Sequence, residues 1–329
     1  MALVTVIGCG VSGLSCAIRL QEAGHRARIV ARELPPHTTS NVAAAVWYPY
    51  RAYPQELVNR WARESYNVFA ELARLPESGV VMSAGLEIFE YTVGDPEWRA
   101  ALPGFRRPDS GELPPGYVDG YAYEVPVIEM PVYLRYLRER FAAGGGEVRQ
   151  AALASVSEAF ADADAVVNTS GLGARELVGD RELFPIRGQV LRVAPVPGLR
   201  RFVLDDHGHR GLAYIVPRGD GVVLGGTADD GAEDAAVDPH TAAAIRERCE
   251  ALEPALRGAQ ALEHKVGLRP GRPSVRLQTE RDDDGRPLIH NYGHGGAGVT
   301  LSWGCARAVV ALLNASGLAG EAGSPPTPA

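Results

Sequence analysis

The sequence predicts an α/β protein of two lobes, a nucleotide-binding domain assembled from discontinuous segments and a second domain rich in β-strands. Three observations carry this. A β-branched run, Val4 to Ile7, enters the turn Gly8-Cys9-Gly10-Val11-Ser12-Gly13, a helical pattern runs on to Ala23, and a second strand pattern, Ala27 to Ala31, follows. Strand, glycine turn, helix and strand in that order form a Rossmann-like βαβ unit. Residues 79–130 and 212–227 read instead as strands separated by Pro/Gly loops. With 329 residues, 46% of them hydrophobic, the chain can fill two separate cores.

Taken in order, Leu14, Ala17 and Ile18 give the first helix its apolar side, and Gly24 is suited to end it. Pro54 to Leu75 predicts a long amphipathic helix with Leu57, Trp61, Tyr66, Phe69 and Leu72 on one side. Strands are expected at Leu86 to Tyr91 and Tyr121 to Val125, then a helix at Pro131 to Ala143 with proline in a permitted first-turn position. Ala163 to Asn168 reads as a buried strand. Tyr214-Ile215-Val216 and Val222-Val223-Leu224 flank Arg218-Gly219-Asp220-Gly221, a hairpin signal. Gly293 to Gly298 leads into an apolar helix at about Leu301 to Asn314. The nucleotide-binding domain is therefore expected to take residues 1–50, 131–180 and 274–315, and the second domain 51–130 and 181–273. The Gly/Pro/Ser/Ala-rich residues 316–329 are expected to form a disordered tail.

Lys plus Arg number 33 against 40 Asp plus Glu, a net charge of -7, which argues against a nucleic-acid partner because phosphate-backbone affinity needs a basic surface. Cys9, Cys16, Cys249 and Cys305 show neither C-x-x-C spacing nor a paired framework, so no metal is expected and a reducing cytoplasm fits. No basic segment precedes the first apolar run, and no uninterrupted apolar stretch approaches the ~18 residues of a membrane span. The chain does not end in the peroxisomal S-K-L address.

In the glycine motif, Gly8 permits the tight turn, Gly10 lets backbone N–H groups approach a pyrophosphate, and Gly13 lets helix and strand pack closely. Val11 and Ser12 open the helix, whose N-terminal dipole favours the phosphates. Glu33 lies 20 residues after Gly13, near where an acid should meet the ribose, and Arg32 beside it leaves that role open between the two. The unit alone does not choose between NAD and FAD. Three later segments bear on the choice. Thr38-Thr39-Ser40-Asn41-Val42-Ala43-Ala44-Ala45-Val46-Trp47-Tyr48-Pro49-Tyr50 offers small residues and hydroxyls to a large flat ligand, although alone it could be an ordinary loop and strand. His294-Gly295-Gly296-Ala297-Gly298-Val299-Thr300 would present N–H donors to an anion, or simply start a helix. Gly267-Leu268-Arg269-Pro270-Gly271-Arg272-Pro273 sets Arg269 in a Pro-fixed segment, where it could grip a carboxylate; from spacing alone a structural ion pair is preferred.

Over nearly its whole length, Val4 to about Leu313, the chain resembles the D-amino-acid oxidases. The resemblance rests on V-A-A-A-V-W-Y-P-Y (42–50), A-Y-I-V-P (213–217), G-L-R-P-G-R-P (267–273) and H-N-Y-G-H-G-G-A-G-V-T (290–300). It implies non-covalent FAD and oxidation of the α-amine of D-amino acids to an imine, by hydride transfer from the α-carbon to the flavin. Reoxidation by O2 gives H2O2, and the imine hydrolyses to a 2-oxo acid and ammonia. By this resemblance Arg269 and Tyr214 bind the substrate carboxylate, and the Gly296 carbonyl receives its amine. Gly293 and Gly295 to Thr300, with Ala297, Gly298 and Val299, line the flavin's pyrimidine edge, where Thr300 is the hydroxyl-bearing position. Val46, Tyr48 and Val216 form the wall for the side chain.

Two departures matter. Arg210 stands where many vertebrate members have a lid tyrosine, and Arg32-Glu33 replaces an Asp-Arg order. Arg210 admits D-aspartate as an alternative substrate, whereas the apolar wall favours neutral D-amino acids. No side-chain base is expected; His294 reads as a hydrogen-bonded structural residue. Rival classes are a glycine- or sarcosine-type amine oxidase, an NAD(P)-dependent dehydrogenase and a non-catalytic FAD-binding protein. A homodimer is one admissible assembly.

Overall fold

The computed structural model describes residues 1–319 and holds two sheets. The first is built from β1 (Leu3–Ile7), β2 (Arg26–Ala31), β5 (Glu147–Gln150), β6 (Ala165–Asn168), β13 (Arg276–Arg281) and β14 (Pro287–Tyr292), in the order β13-β14-β6-β1-β2-β5. All neighbours run parallel except β13, which pairs antiparallel with β14. Its central strands are near-continuous apolar runs because both faces are covered. The second sheet contains β3 (Val80–Phe89), β4 (Asp119–Ile128), β7 (Phe184–Val193), β8 (Phe202–Asp205), β9 (Ala213–Arg218), β10 (Gly221–Gly225), β11 (Asp229–Asp230) and β12 (Ala261–Gly271). It is antiparallel apart from the β3–β8 pair. The helices are α1 (Val11–Glu22), α2 (Gln55–Leu72), α3 (Met130–Ala143), α4 (Ala174–Leu177), α5 (Pro239–Leu252) and α6 (Gly298–Ala315).

Period-two alternation sorts the second sheet's side chains onto two faces. Leu86, Ile88, Leu191, Ile215, Val222 and Leu224 pack with Ile245 and Cys249 of α5. Their neighbours Phe89, Tyr121, Tyr123, Val190, Val216 and Val223 join the main core with the 42–48 segment and the helices of the first sheet. The 212–227 hairpin forms as its turn signal requires, with Gly221 opposite Arg218.

The sequence reading of 267–273 names no strand there: residues to Gly271 belong to β12, the longest strand among the described residues, paired only with β7. Proline is tolerated because β12 lies at an edge, where Pro270 need not donate to a further strand. Helix α6 is long and apolar enough to cross a membrane by length and composition, although Arg307 and several polar residues interrupt it. Its apolar residues are accounted for by the core: Leu301, Trp303, Cys305, Val309 and Leu313 are buried among residues of α1 and α2. The Trp303 indole donates to the Tyr133 hydroxyl (2.8 Å), and the guanidinium groups of Arg19 and Arg140 lie over its ring. Of the expected tail, residues 320–329 lie outside the described residues; Ser316 and Gly317 close α6 by bonding back to Leu312 and Asn314.

Helices α2 and α6 meet at Gly304, where a Cβ would overlap the backbone of Trp61. Backbone cannot turn aside as a side chain does, so Gly304→Ala should cost about 1–3 kcal/mol as overpacking. The expected result is a lowered thermal midpoint; an unchanged midpoint would mean that the two helices separate freely.

Candidate active site

The site lies at the carboxyl ends of the parallel strands, the edge at which such sheets bind ligands. Gly8, with φ of 113°, turns the chain from β1 into α1. A Cβ at Gly8 would press on the Thr169 carbonyl, and one at Gly13 would overlap the Gly8 carbonyl oxygen. Strand, turn and helix therefore touch through backbone. Helix α1 begins after Gly10 with no side-chain cap and no acid in its first turn, so its amides face the ligand edge without a competing carboxylate. The Ser40 hydroxyl accepts from the Val11 amide (3.0 Å) and lies beside Gly10, which brings the 38–42 turn onto the glycine loop. Thr38 bonds Asn41 (2.8 Å), and Thr39 begins the short 3-10 turn. Ser12 lies in the uncapped first turn. Arg32 and Glu33 follow β2, exposed and paired with each other at 3.7 Å; neither is buried in a structural role.

A second uncapped helix N-terminus stands nearby. Helix α6 starts after Ala297, again without a side-chain cap or a first-turn acid. Gly298 and Val299 are its first residues. Gly293 and Gly295 have positive φ, and the Gly295 amide donates to the Pro270 carbonyl (2.8 Å). This bond joins the glycine loop to the residue after Arg269. Gly296 lies against the Tyr50 ring, which a Cβ would strike. The Thr300 hydroxyl donates to the Tyr48 carbonyl (3.0 Å) and accepts from the Tyr48 amide (3.1 Å). It pins the 43–50 segment beside the backbone N–H groups at the start of α6. These two bare helix starts, the glycine cradle and the small residues Ala43, Ala44 and Ala45 fit a dinucleotide with a flat ring system. Ala45 (φ 59°) and Arg51 (φ 48°) adopt the left-handed conformation that non-glycine residues seldom hold outside functional sites. Trp47 is buried, its indole bonded to the Ala62 carbonyl (3.0 Å), and supports the segment from behind.

Across from the glycine loop, Arg269 crosses Gly188 of β7, where a Cβ would collide with the guanidinium. It donates to the Thr227 carbonyl (3.0 Å) and lies beside the Tyr214 hydroxyl. Gly225 and Gly226 leave the space that the Tyr214 ring fills. Burial raises the Tyr214 pKa, and Arg269 partly offsets this. Val46, Tyr48 and Tyr214 pack with buried Val216 in one apolar cluster. Val46 bridges to Val127, and Tyr48 stacks on Tyr50 with ring centroids 6.3 Å apart.

Tyr50 links the parts: Gly296 lies against its ring, Tyr48 stacks on it, and the fields of Arg269 and Tyr214 reach it, while Val46 and Val216 lie in the same apolar core. Arg210 stands apart: it is exposed, and its field acts on Glu90 and Tyr117. His294 is buried and bonded to Asn291 (2.9 Å), and burial lowers its pKa to about 4. All four cysteines are buried free thiols; burial raises Cys9, inside the glycine loop, to about 11, so it offers no thiolate for covalent attachment. Sequence reasoning missed Tyr50, Gly188, Asp206 and Glu87. Glu87 alone left a signal, as a single acid between the apolar Leu86 and Ile88.

Residues 4–312 match the family described as FAD dependent oxidoreductase. A D-amino-acid oxidase of Rubrobacter xylanophilus is 55% identical over 317 residues, covering 96% of this chain and 97% of that protein. Human D-aspartate oxidase is 38% identical, covering 95% of each chain. The crystal structure of a glycine oxidase from Geobacillus kaustophilus shares the fold, with a TM-score of 0.78 over 96% of this chain and 95% of that one at 20% identity. With both helix starts facing the ligand edge and the match running almost from end to end, the chain belongs to the FAD-dependent oxidoreductase family, in the group that contains the D-amino-acid oxidases.

Proposed function

We propose that the chain oxidises the α-amine of neutral D-amino acids, whose carboxylate is held by Arg269 and Tyr214. The state of Arg269 carries this reading. Arg51 has Asp230 (2.8 Å), Arg187 has Asp229 (3.7 Å), Arg218 has Asp220 (2.8 Å) and Arg272 has Asp180 (3.2 Å), while Arg248 donates to the Leu212 and Gly226 carbonyls. Arg269 has no salt-bridge partner among the described residues; beside it are the Thr227 carbonyl and the Tyr214 hydroxyl. A half-buried guanidinium with free donors beside a phenol is a ready fork for a carboxylate.

FAD, when bound, supplies the two-electron acceptor for the substrate's Cα–H and delivers those electrons to O2, giving H2O2. The protein's part is orientation and electrostatics. Arg269 and Tyr214 would fix the carboxylate, and with it the position of the α-carbon. Donors at the start of α6 would favour negative charge on the flavin edge beside them. Burial lowers the His294 pKa to about 4, which makes it too weak a base to take the substrate's proton near neutrality. The imine product needs only water to become a 2-oxo acid and ammonia.

Val46, Tyr48 and Val216 offer an aliphatic side chain roughly 1.5–3 kcal/mol on burial. Arg210, exposed, would add only ~0–1 kcal/mol to a side-chain carboxylate. This supports neutral substrates over D-aspartate, with D-valine, D-methionine and D-phenylalanine as candidates. The buried free thiols support a reducing, cytoplasmic setting. Anaerobic mixing with D- and L-amino acids tests the reading directly: D-valine should bleach the flavin and L-valine should not. Bleaching by L-valine alone would overturn it.

Two substitutions test the anchor. Arg269→Ala removes one partner of a buried charged contact, worth roughly 2–5 kcal/mol, or on the order of 30- to several-thousand-fold in affinity for a carboxylate ligand such as benzoate. Arg269→Lys should also be weakened, since an ammonium cannot reproduce the planar fork. FAD content should stay normal in both, and unchanged benzoate affinity would place the carboxylate elsewhere.

Gly188→Ala is subtler. The atoms its Cβ meets are the movable end of Arg269, so the variant should fold and bind FAD. Displacing the guanidinium should raise KM for D-valine at least about tenfold, some 1.4 kcal/mol. A KM unchanged by Gly188→Ala would show that Arg269 can work from another position.

A further inference from the structure

Glu87 lies on β3 between Leu86 and Ile88, both of which face α5. Alternation along the strand turns its side chain to the opposite face, the one that carries Tyr123 on β4 and Tyr214 and Val216 on β9. It is 3% exposed. Its carboxylate accepts from the Tyr48 hydroxyl (2.8 Å) and, at 3.5 Å, from that of Tyr123. The groups facing it are Tyr48 from the 43–50 segment, Tyr121 and Tyr123 from β4, and Asp206 from the turn after β8. None is a cation. Asp206 is itself largely buried, with Tyr50 and the His207 ring (4.0 Å) beside it, and the one arginine whose field reaches it, Arg51, is already paired with Asp230. Two carboxylates therefore stand behind Tyr48 and Tyr50, while the arginine that would answer a second substrate carboxylate, Arg210, is outside.

We propose that Glu87 is a specificity-determining residue of this site: acting with Asp206 through the Tyr48 wall, it gives the side-chain pocket a negative potential that turns away D-amino acids with a side-chain carboxylate. The inference rests on the reading of Arg269 and the Tyr48 wall given above. Coulomb repulsion across a dry protein wall is weakly screened, so a charge one side chain removed from the ligand still acts on it. Glu87 also has a titration that free substrate lacks. Burial raises its pKa to about 7, the Tyr48 bond opposing and Asp206 reinforcing the shift. Below that pH it is a neutral acid and repels little; above it the full charge is present. Discrimination against D-aspartate therefore strengthens as pH rises through about 7.

D-Asparagine and D-aspartate have the same shape and differ in charge, so the ratio of their kcat/KM values isolates the effect. It is measured from about one unit below to about one unit above the Glu87 pKa, where the substrate's own carboxylates stay ionised. The parent should favour D-asparagine by about tenfold or more at the upper pH, equivalent to some 1.4 kcal/mol, and by less at the lower. Glu87→Gln, which keeps an acceptor for Tyr48, should flatten the pH dependence and narrow the ratio. A purely structural Glu87 would lower both kcat/KM values together and leave the ratio unmoved, which would overturn the proposal. A parent ratio that does not change with pH across this range would also overturn it. Should D-valine and D-asparagine both fail to react, the reading of the reaction falls with it, whereas reaction with an unmoved ratio removes only the role of Glu87.

Discussion

The first turn of α1 rests on β1 so closely that only hydrogen fits between them, and the ligand edge takes its position from that contact. Gly13 leans on the Gly8 carbonyl, and Gly8 leans on Thr169 at the end of β6. Neighbouring strand ends and the helix start are thereby held without any intervening side chain. Ser40 then locates the 38–42 turn on the helix start, and the segment beyond it runs to Tyr48, where Thr300 of α6 takes hold. Each link in this chain uses backbone or a short hydroxyl, so positional error has little room to accumulate. Long flexible side chains would not serve, because their rotamer freedom would blur the spacing of the two helix starts.

Charge is distributed with equal economy. Two helix N-termini point positive ends at the ligand edge, without acids in their first turns to cancel them. The far wall carries two carboxylates, Glu87 and Asp206, under a layer of tyrosine rings. Arg269 lies between these regions on a bed of glycine. A molecule with a carboxylate at one end and a neutral body is matched by this arrangement, and one with a carboxylate at each end is not. Surface ion pairs elsewhere, such as Arg74 with Glu71, add little in comparison.

Much of this was legible in the sequence, for identifiable reasons. The βαβ unit declares itself through three glycines at fixed offsets between a β-branched run and a helical one; the 212–227 hairpin through its turn residues; α6 through its apolar length. What stayed hidden depends on partners distant in sequence. Strand β12 contains Gly267, Pro270, Gly271 and several charges, a composition that gives no strand signal unless its edge position is known. Strand β13, Arg-Leu-Gln-Thr-Glu-Arg, is too polar to betray itself and survives because it also lies at an edge. Gly188 has no local signature, since its meaning comes from an arginine on the paired strand. Thr300 was legible as a site position, but its bonds to Tyr48 join residues from opposite ends of the chain.

That pair of bonds has a thermodynamic consequence. The Thr300 hydroxyl is donor to one backbone atom of Tyr48 and acceptor from another, so the loop at the start of α6 and the wall carrying Tyr48 cannot loosen independently. Ordering either side spares the other part of its entropy loss. If the cofactor holds the loop at the start of α6 and a substrate the wall, each would be easier to order once the other is bound, by the same free energy. A substrate-shaped ligand is in this sense also a retainer of the flavin, with one threonine side chain as the coupling between them.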